Sequence, residues 1–99
     1  MNPFPVISLC HPDWSRSRIQ YTFQCPGCGY MHWINVDPEV LPCWKWNGSV
    51  TEPTFSPPLR IEWKEGNVCE FSIENGMISF SENSTHELKG QSVRMKSVL

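Results

Sequence analysis

The chain has no long apolar run, no basic-then-apolar leader at its start, and little charge of either sign. A membrane helix needs roughly 18 apolar residues in a row, so we expect no membrane span and no membrane partner. Charged residues make up 18% of the chain, and the formal net charge is −2. This balance argues against broad electrostatic binding to nucleic acid. The sequence therefore predicts a soluble, cytoplasmic protein.

Long uninterrupted helices are excluded as well, because nine prolines and six glycines divide the 99 residues. Alternation of apolar and polar residues is the dominant pattern, and it is typical of half-buried strands. We predict one domain, 1–99, with a mainly antiparallel β fold, an irregular segment at 1–16 and an edge strand or tail at 92–99. A chain of this length buries only a modest core, so a metal cross-link would add materially to its stability.

The cysteines do not suit a disulfide framework, because there are five of them and two form a C-x-x-C. Cys25-Pro26-Gly27-Cys28 lies between strand patterns at 18–24 and 31–36. It is therefore predicted to be the turn of a zinc-ribbon-like hairpin, whereas a thioredoxin-like redox site would open a helix. Zn²⁺ normally takes four protein ligands at a structural site, so two more must come from elsewhere in the chain.

A second hairpin indicates where those ligands are. Strand patterns at 68–73 and 77–81 flank Asn75-Gly76, a strong signal for a two-residue turn. This turn places Cys69 on the apolar face at the open end of the hairpin. The chain leaves the hairpin at that same end, and His86 follows a few residues later, so Cys69 and His86 can be neighbours. The sequence predicts a zinc site made by Cys25, Cys28, Cys69 and His86.

Other cysteines and histidines leave alternatives open. His32 competes with His86 for the fourth position, since its imidazole can turn back toward the knuckle formed by Cys25-Pro26-Gly27-Cys28-Gly29. Otherwise His32 is an ordinary strand residue. Cys43 is expected to be simply buried. The neighbouring Cys10 and His11 offer a further possible ligand, although a buried cysteine beside a surface histidine is the simpler interpretation.

The middle of the chain combines aromatic residues with proline. Because Pro53, Pro57 and Pro58 lie within 49–58, that segment is predicted to be an extended loop or an edge, not a central strand. Trp44, Trp46 and Phe55 are candidate anchors for a protein partner, with filling of the small core as the alternative. Residues 83–89 are predicted to form a turn or a single helical turn, capped by Asn83 or Ser84.

A series of short motifs follows a specific order between about residue 20 and about residue 95. They are Cys25-Pro26-Gly27-Cys28 with His32, Trp46-Asn47-Gly48, Pro53-Thr54-Phe55-Ser56-Pro57, Cys69 with Phe71, Asn75-Gly76-Met77-Ile78, and Ser84-Thr85-His86-Glu87-Leu88-Lys89-Gly90-Gln91. In this order they resemble a family of small proteins of phages and bacterial prophages. The ammonia monooxygenase label sometimes attached to that family finds no support in these residues.

The resemblance implies a setting more than an activity: a phage or bacterial cell, with a host or phage protein as the partner. In the family pattern, histidine usually follows the cysteine at position 69, and a cysteine precedes the histidine at position 86 by two residues. This chain has Glu70 and Ser84 there instead. The departure argues against a second metal ion or catalysis at those two positions.

Three functions are compatible with the residues. The first is a binding module stabilised by structural zinc. The second is a zinc-dependent hydrolase, in which His32 or Glu87 would act as general base beside an open coordination position. The third is a nucleic-acid-binding ribbon that uses Arg16 and Arg18, and the acidic balance of the chain disfavours it. We expect the binding module.

Overall fold

The computed structural model describes residues 4–10, 20–39, 41–64 and 66–97, without the side chain of Cys10. The described residues form strands and turns but no helix, and hence no helix that could cross a membrane. The strands are β1 Ser8–Cys10, β2 Gln20–Gln24, β3 Met31–Asn35, β4 Lys45–Trp46, β5 Phe55–Trp63, β6 Asn67–Glu74, β7 Met77–Phe80 and β8 Ser92–Arg94. The predicted β fold is confirmed.

The strands form two sheets, one ordered β1-β2-β3 and the other β4-β5-β6-β7-β8. All neighbours pair antiparallel. Side chains of both sheets share one buried cluster, in which Phe23 of β2 meets Phe71 of β6 edge to face, with ring centroids 5.8 Å apart. The sheets therefore pack together through side chains, since none of the described strands of one sheet pairs with a strand of the other.

The first hairpin is the one that the C-x-x-C predicted. Strands β2 and β3 pair up to Gln24 and Met31, so the cysteines occupy the connecting turn. The N–H of Cys25 donates to the carbonyl of Tyr30 at 2.9 Å, and the N–H of Gly29 donates to the carbonyl of Cys25 at 3.0 Å. These bonds make the turn tight and hold both sulfurs on its inner side.

The second hairpin is also confirmed, including its register. Phe71 pairs with Phe80, and Ile73 pairs with Ile78. The turn residues Asn75 and Gly76 have φ values of 50° and 79°, the left-handed conformation that Asn-Gly adopts readily. The inner face of β6 is buried as the pairing requires, and Cys69 on that face is 0% exposed.

The prediction for 49–58 was wrong in its second half. Strand β5 begins at Phe55 and lies between β4 and β6, so two prolines stand inside a central strand. The register explains their presence: Phe55 pairs with Ile73, and the next paired residue, Leu59, faces Phe71. The residues between them bulge out of the ladder to β6, and a bulge is where a strand tolerates residues without an N–H donor.

Within 83–89 the structure has the predicted turn, since turn residues lie at 82–83 and 87–90, but it has no helical turn. The part of this segment before His86 follows the edge of β6. Ser81 and Thr85 donate their backbone N–H groups to the carbonyls of Glu70 and Val68, at 2.8 and 2.9 Å. Between them, the Ser84 hydroxyl accepts from the N–H of Glu70 and donates to its carbonyl, both at 3.0 Å. Ser84 thus caps a strand edge, not a helix, and the next residues bring His86 to Cys69.

Candidate metal centre

Four side chains converge where the two hairpins meet. Cys25, Cys28 and His32 come from the β2–β3 hairpin, and Cys69 comes from β6. Their Sγ and ring nitrogen atoms all lie within 4.8 Å of one another. Cys25, Cys69 and His32 are 1%, 0% and 3% exposed, and Cys28 is half-buried. The cluster could hold a metal ion, and it would join one sheet to the other.

The spacing of these atoms fits a tetrahedral ion. A Zn–S distance of about 2.3 Å implies sulfurs about 3.8 Å apart on the edge of a tetrahedron. The Sγ atoms of Cys25 and Cys69 are 3.7 Å apart, and Cys28 Sγ lies 3.3 Å from His32 Nε2. Three soft sulfur ligands with one imidazole are a donor set that suits Zn²⁺.

Aromatic packing fixes the imidazole of His32 at this point. The period-2 alternation of β3 turns His32 inward, opposite Phe23. Its ring stacks on Phe71 with centroids 5.2 Å apart and planes 18° apart, and the edge of Phe23 meets it at 5.6 Å. The ring orientation is therefore set by one neighbour from each sheet.

His86 reaches the same region from the other side. Its Nε2 lies 3.5 Å from Cys69 Sγ, and its Nδ1 accepts the backbone N–H of Leu88 at 3.2 Å. The ring lies directly over Gly27, where any Cβ would overlap it. Of the four residues in the predicted zinc set, the cysteines all belong to the converging group, while His86 contacts that group at Cys69. The alternative ligand, His32, completes it.

Hydrogen bonding among the sulfurs separates their pKa values. A hydrogen bond from the Cys69 thiol to the sulfur of Cys25 lowers the pKa of Cys25 from its usual value to about 3. The same bond, together with burial, raises the pKa of Cys69, and burial raises the pKa of Cys28. The hydrogen bond between Cys25 and Cys69 thus favours the thiolate at Cys25 and the thiol at Cys69.

The remaining candidate ligands and bases lie elsewhere. Cys43 is half-buried, and its thiol approaches the carbonyl of Trp44 at 3.7 Å instead of the cluster. Glu87 is exposed. His11, Arg16 and Arg18 lie outside the described residues, as does the side chain of Cys10.

The three aromatic residues predicted to contact a partner have different environments. Phe55 is 3% exposed and belongs to the core, so its ring does not face the surface. Trp46 is half-buried; it stacks on Phe55 and contacts Tyr21 with centroids 4.4 Å apart. Trp44 is half-buried against the core. This group mainly fills the interior, which is the alternative that the sequence left open.

The sequence analysis missed an exposed apolar face beside the cysteine–histidine cluster. Tyr30, Met31 and Trp33 are 57%, 43% and 52% exposed. Tyr30 meets Trp63 edge to face at 5.4 Å, and a groove of about 250 Å³ is lined by Tyr30, Met31, His32, Ile61 and Trp63. The signal was present in the alternation of β3, because an inward His32 requires Met31 and Trp33 to point outward.

The chain is similar to a known protein family. The model of the family described as bacterial ubiquitination-like system serine protease (BubE) matches residues 10–81, most of the chain. The matched region contains all four residues of the converging group and stops before His86. Comparisons with curated proteins and with solved structures give no match.

Proposed function

The chain belongs to the BubE family, and we propose that it works in a bacterial ubiquitination-like system as a zinc-stabilised β module that binds a protein partner. The observation that carries the proposal is the cluster that links the two hairpins. Its Cys25 and Cys69 sulfurs are 3.7 Å apart and buried, one from the turn between β2 and β3 and the other from β6. Zinc held by Cys25, Cys28, Cys69 and His32 is a closed structural site.

A hydrolytic zinc site is less well supported. Catalytic zinc generally keeps one coordination position for water and has three protein ligands. Here the four ligand atoms already form a compact set, and three of them are sulfurs. Glu87, the carboxylate predicted as a possible base, is exposed. It comes directly after His86 in the sequence, and His86 is the residue of the two whose contact with Cys69 is described.

Serine protease activity is the second candidate, because the family description names it and the match covers most of the chain. A serine nucleophile needs a histidine base within hydrogen-bond reach. In the described part of the chain, Nε2 of His32 faces Cys28, and Nε2 of His86 faces Cys69. Ser84, the serine nearest to His86 in sequence, bonds the backbone of Glu70. These contacts favour a binding role over proteolysis.

A fluorophosphonate probe separates the two candidates, since it labels an activated serine covalently. We expect no labelling of the zinc-loaded protein under conditions in which a control serine protease is labelled. Stoichiometric labelling at one serine, lost when that serine is changed to alanine, would establish the protease instead.

The partner we propose is a protein component of the same system, bound at the face formed by Tyr30, Met31 and Trp33. Exposed aromatic residues are frequent anchors of protein interfaces, and large exposed apolar faces mark interaction sites. The phage resemblance suggests a host or phage protein as the alternative partner.

Affinity capture with proteins of the system tests this face. Trp33→Ser is expected to lose the partner, and Leu41→Ser, at a residue 82% exposed, is expected to keep it. Equal capture by both variants would exclude this face.

Elemental analysis tests the metal itself. We expect one equivalent of zinc in the wild type, and loss of zinc together with folding in Cys25→Ser and Cys69→Ser. Wild-type protein that folds and contains no metal when purified without chelator would overturn the proposal.

A further inference from the structure

Two histidines lie against the sulfur cluster, and the hydrogen bonds of His86 distinguish their roles. A neutral imidazole carries its single proton on one nitrogen and a lone pair on the other. The backbone N–H of Leu88 points at Nδ1 of His86, 3.2 Å away. Since an N–H is only a donor, Nδ1 must provide the lone pair, and the proton must be on Nε2.

Nε2 is also the atom that faces the cluster, 3.5 Å from Cys69 Sγ. A nitrogen that carries a proton cannot bind a metal ion, but it can donate a hydrogen bond to a thiolate. Coordination of a metal ion through Nε2 would move the ring proton to Nδ1. Nδ1–H and the N–H of Leu88 would then point at each other, and two donors cannot form a hydrogen bond. The local backbone therefore disfavours His86 as a ligand.

We propose that His86 is a positioning residue that donates an Nε2–H···S hydrogen bond to the Cys69 thiolate, while His32 is the nitrogen ligand of the ion. This inference rests on the metal site of the proposed function. Three thiolates and one neutral imidazole around a divalent cation leave a net charge of −1 on the cluster. A donor at Cys69 offsets part of that excess charge in a buried position, as outer-sphere hydrogen bonds commonly do for metal ligands.

The packing around the ring supports this role. Gly27 leaves room for the imidazole to lie over the knuckle, where any Cβ would overlap it, and Phe80 meets the ring edge to face at 4.5 Å. With Leu88 at Nδ1 and Cys69 at Nε2, both ring nitrogens have partners. The ring is held in one orientation by contacts that do not depend on a metal–nitrogen bond.

Long-range proton–nitrogen correlation spectra of the zinc-loaded protein test the assignment directly. We expect the His86 ring to be protonated at Nε2, and the His32 ring to show the shifts of a coordinated nitrogen. With ¹¹³Cd in place of zinc, His32 is expected to show coupling to the metal and His86 none. Cadmium coupling to His86, or a proton on its Nδ1, would overturn the proposal.

Variants give an independent measurement. We expect His86→Leu to keep one equivalent of metal and an unchanged absorption spectrum of the Co²⁺ form, but to bind zinc about 10–100-fold more weakly, as is usual for loss of an outer-sphere partner. His86→Gln places an amide N–H near the Nε2 position and is expected to recover most of that loss. In His32→Ala the Co²⁺ spectrum is expected to change.

These outcomes separate the role of His86 from the existence of the site. Absence of any metal in folded wild-type protein would overturn the metal site of the proposed function. Metal binding that is lost in His86→Leu and His86→Gln, but kept in His32→Ala, would leave the site standing and overturn the roles given to the two histidines.

Discussion

At the scale of single residues, protonation couples the cluster to pH. The pKa of Cys25 is lowered to about 3 by the hydrogen bond from Cys69, so Cys25 is a thiolate at neutral pH. The pKa values of Cys28 and Cys69 are raised, so both are thiols at that pH. Cysteine binds a metal ion as a thiolate, so an ion that enters the cluster must displace the protons of Cys28 and Cys69.

The first prediction follows from this difference. Zinc binding at pH 7 is expected to release about two protons, and affinity is expected to rise about 100-fold per pH unit as proton competition falls. Acidification from pH 7 therefore weakens binding. Calorimetric titration in buffers of different ionisation enthalpy measures the number of protons. Release of three protons would mean that Cys25 is also protonated before the ion arrives.

A second prediction concerns Gly27, whose Cβ would overlap the ring of His86. Gly27→Ala is expected to lower the free energy of unfolding of the zinc-loaded protein by about 1–3 kcal/mol, because it overpacks a fixed ring. It is also expected to weaken zinc binding, as the ring is displaced from Cys69. Urea unfolding and competition with a zinc indicator measure the two effects.

The control for Gly27 is Gly66→Ala. Gly66 has φ +89° and open space around it, so alanine there adds backbone strain without a clash. A loss of stability with unchanged zinc affinity is expected. If both variants bound zinc like the wild type, the contact between Gly27 and His86 would have no bearing on the site.

At the scale of elements, the segment after β7 behaves as an incomplete strand along β6. The Ser84 hydroxyl both accepts from and donates to the backbone of Glu70, and Thr85 bonds Val68 twice through its hydroxyl and once through its N–H. These side chains replace the backbone groups that a regular strand would supply. They also fix the position from which His86 approaches Cys69.

The third prediction tests that role. Ser84→Ala leaves the Glu70 N–H without this partner in a buried environment, and the free energy of unfolding is expected to fall by about 1–3 kcal/mol. Ser92→Ala is the matched control, because Ser92 is exposed and its hydroxyl bonds only to that of Ser79 among the contacts described. Denaturant titration compares them, and equal losses would contradict the role of Ser84.

The elements also indicate how far sequence reasoning reaches. The register of β6 and β7 was predictable, because Asn75-Gly76 fixes the turn and period-2 burial fixes the faces. The grouping of Cys25, Cys28 and Cys69 was predictable as well, because the same turn and burial pattern place Cys69 on the inner face of β6. The position of β5 was not predictable from its prolines, since the bulge that accommodates them is defined only by pairing with β6. The choice between His32 and His86 depends on contacts with Phe71 and Leu88, which spacing does not reveal.

At the scale of the whole molecule, the cysteine–histidine cluster lies between two sheets whose described strands do not pair with each other, so a metal ion bound there would cross-link them. Cys25, Cys28 and His32 belong to the three-stranded sheet and its turn, and Cys69 belongs to the five-stranded sheet. The core between the sheets is small, as expected for a chain of 99 residues. A large share of the cohesion between them is therefore expected to come from the ion.

The fourth prediction is that a chelator destabilises the entire domain. Removal of zinc is expected to lower Tm by at least about 10 °C, since a structural ion contributes several kcal/mol to a domain of this size. Cys43→Ser should show the same drop as the wild type, because Cys43 lies outside the cluster. An unchanged Tm in protein shown to be metal-free would mean that the sheets hold together without the ion.

The separation of the ligands along the chain also sets the order in which the protein is assembled during synthesis. The hairpin ligands are translated first, and Cys69 follows Cys25 by 44 positions, a delay of roughly 2–9 s at about 5–20 residues per second. During that interval the nascent chain would offer an ion only Cys25, Cys28 and His32, three of the four candidate ligands. A zinc site made by all four side chains would therefore be complete only once β6 has been made, after the β2–β3 hairpin.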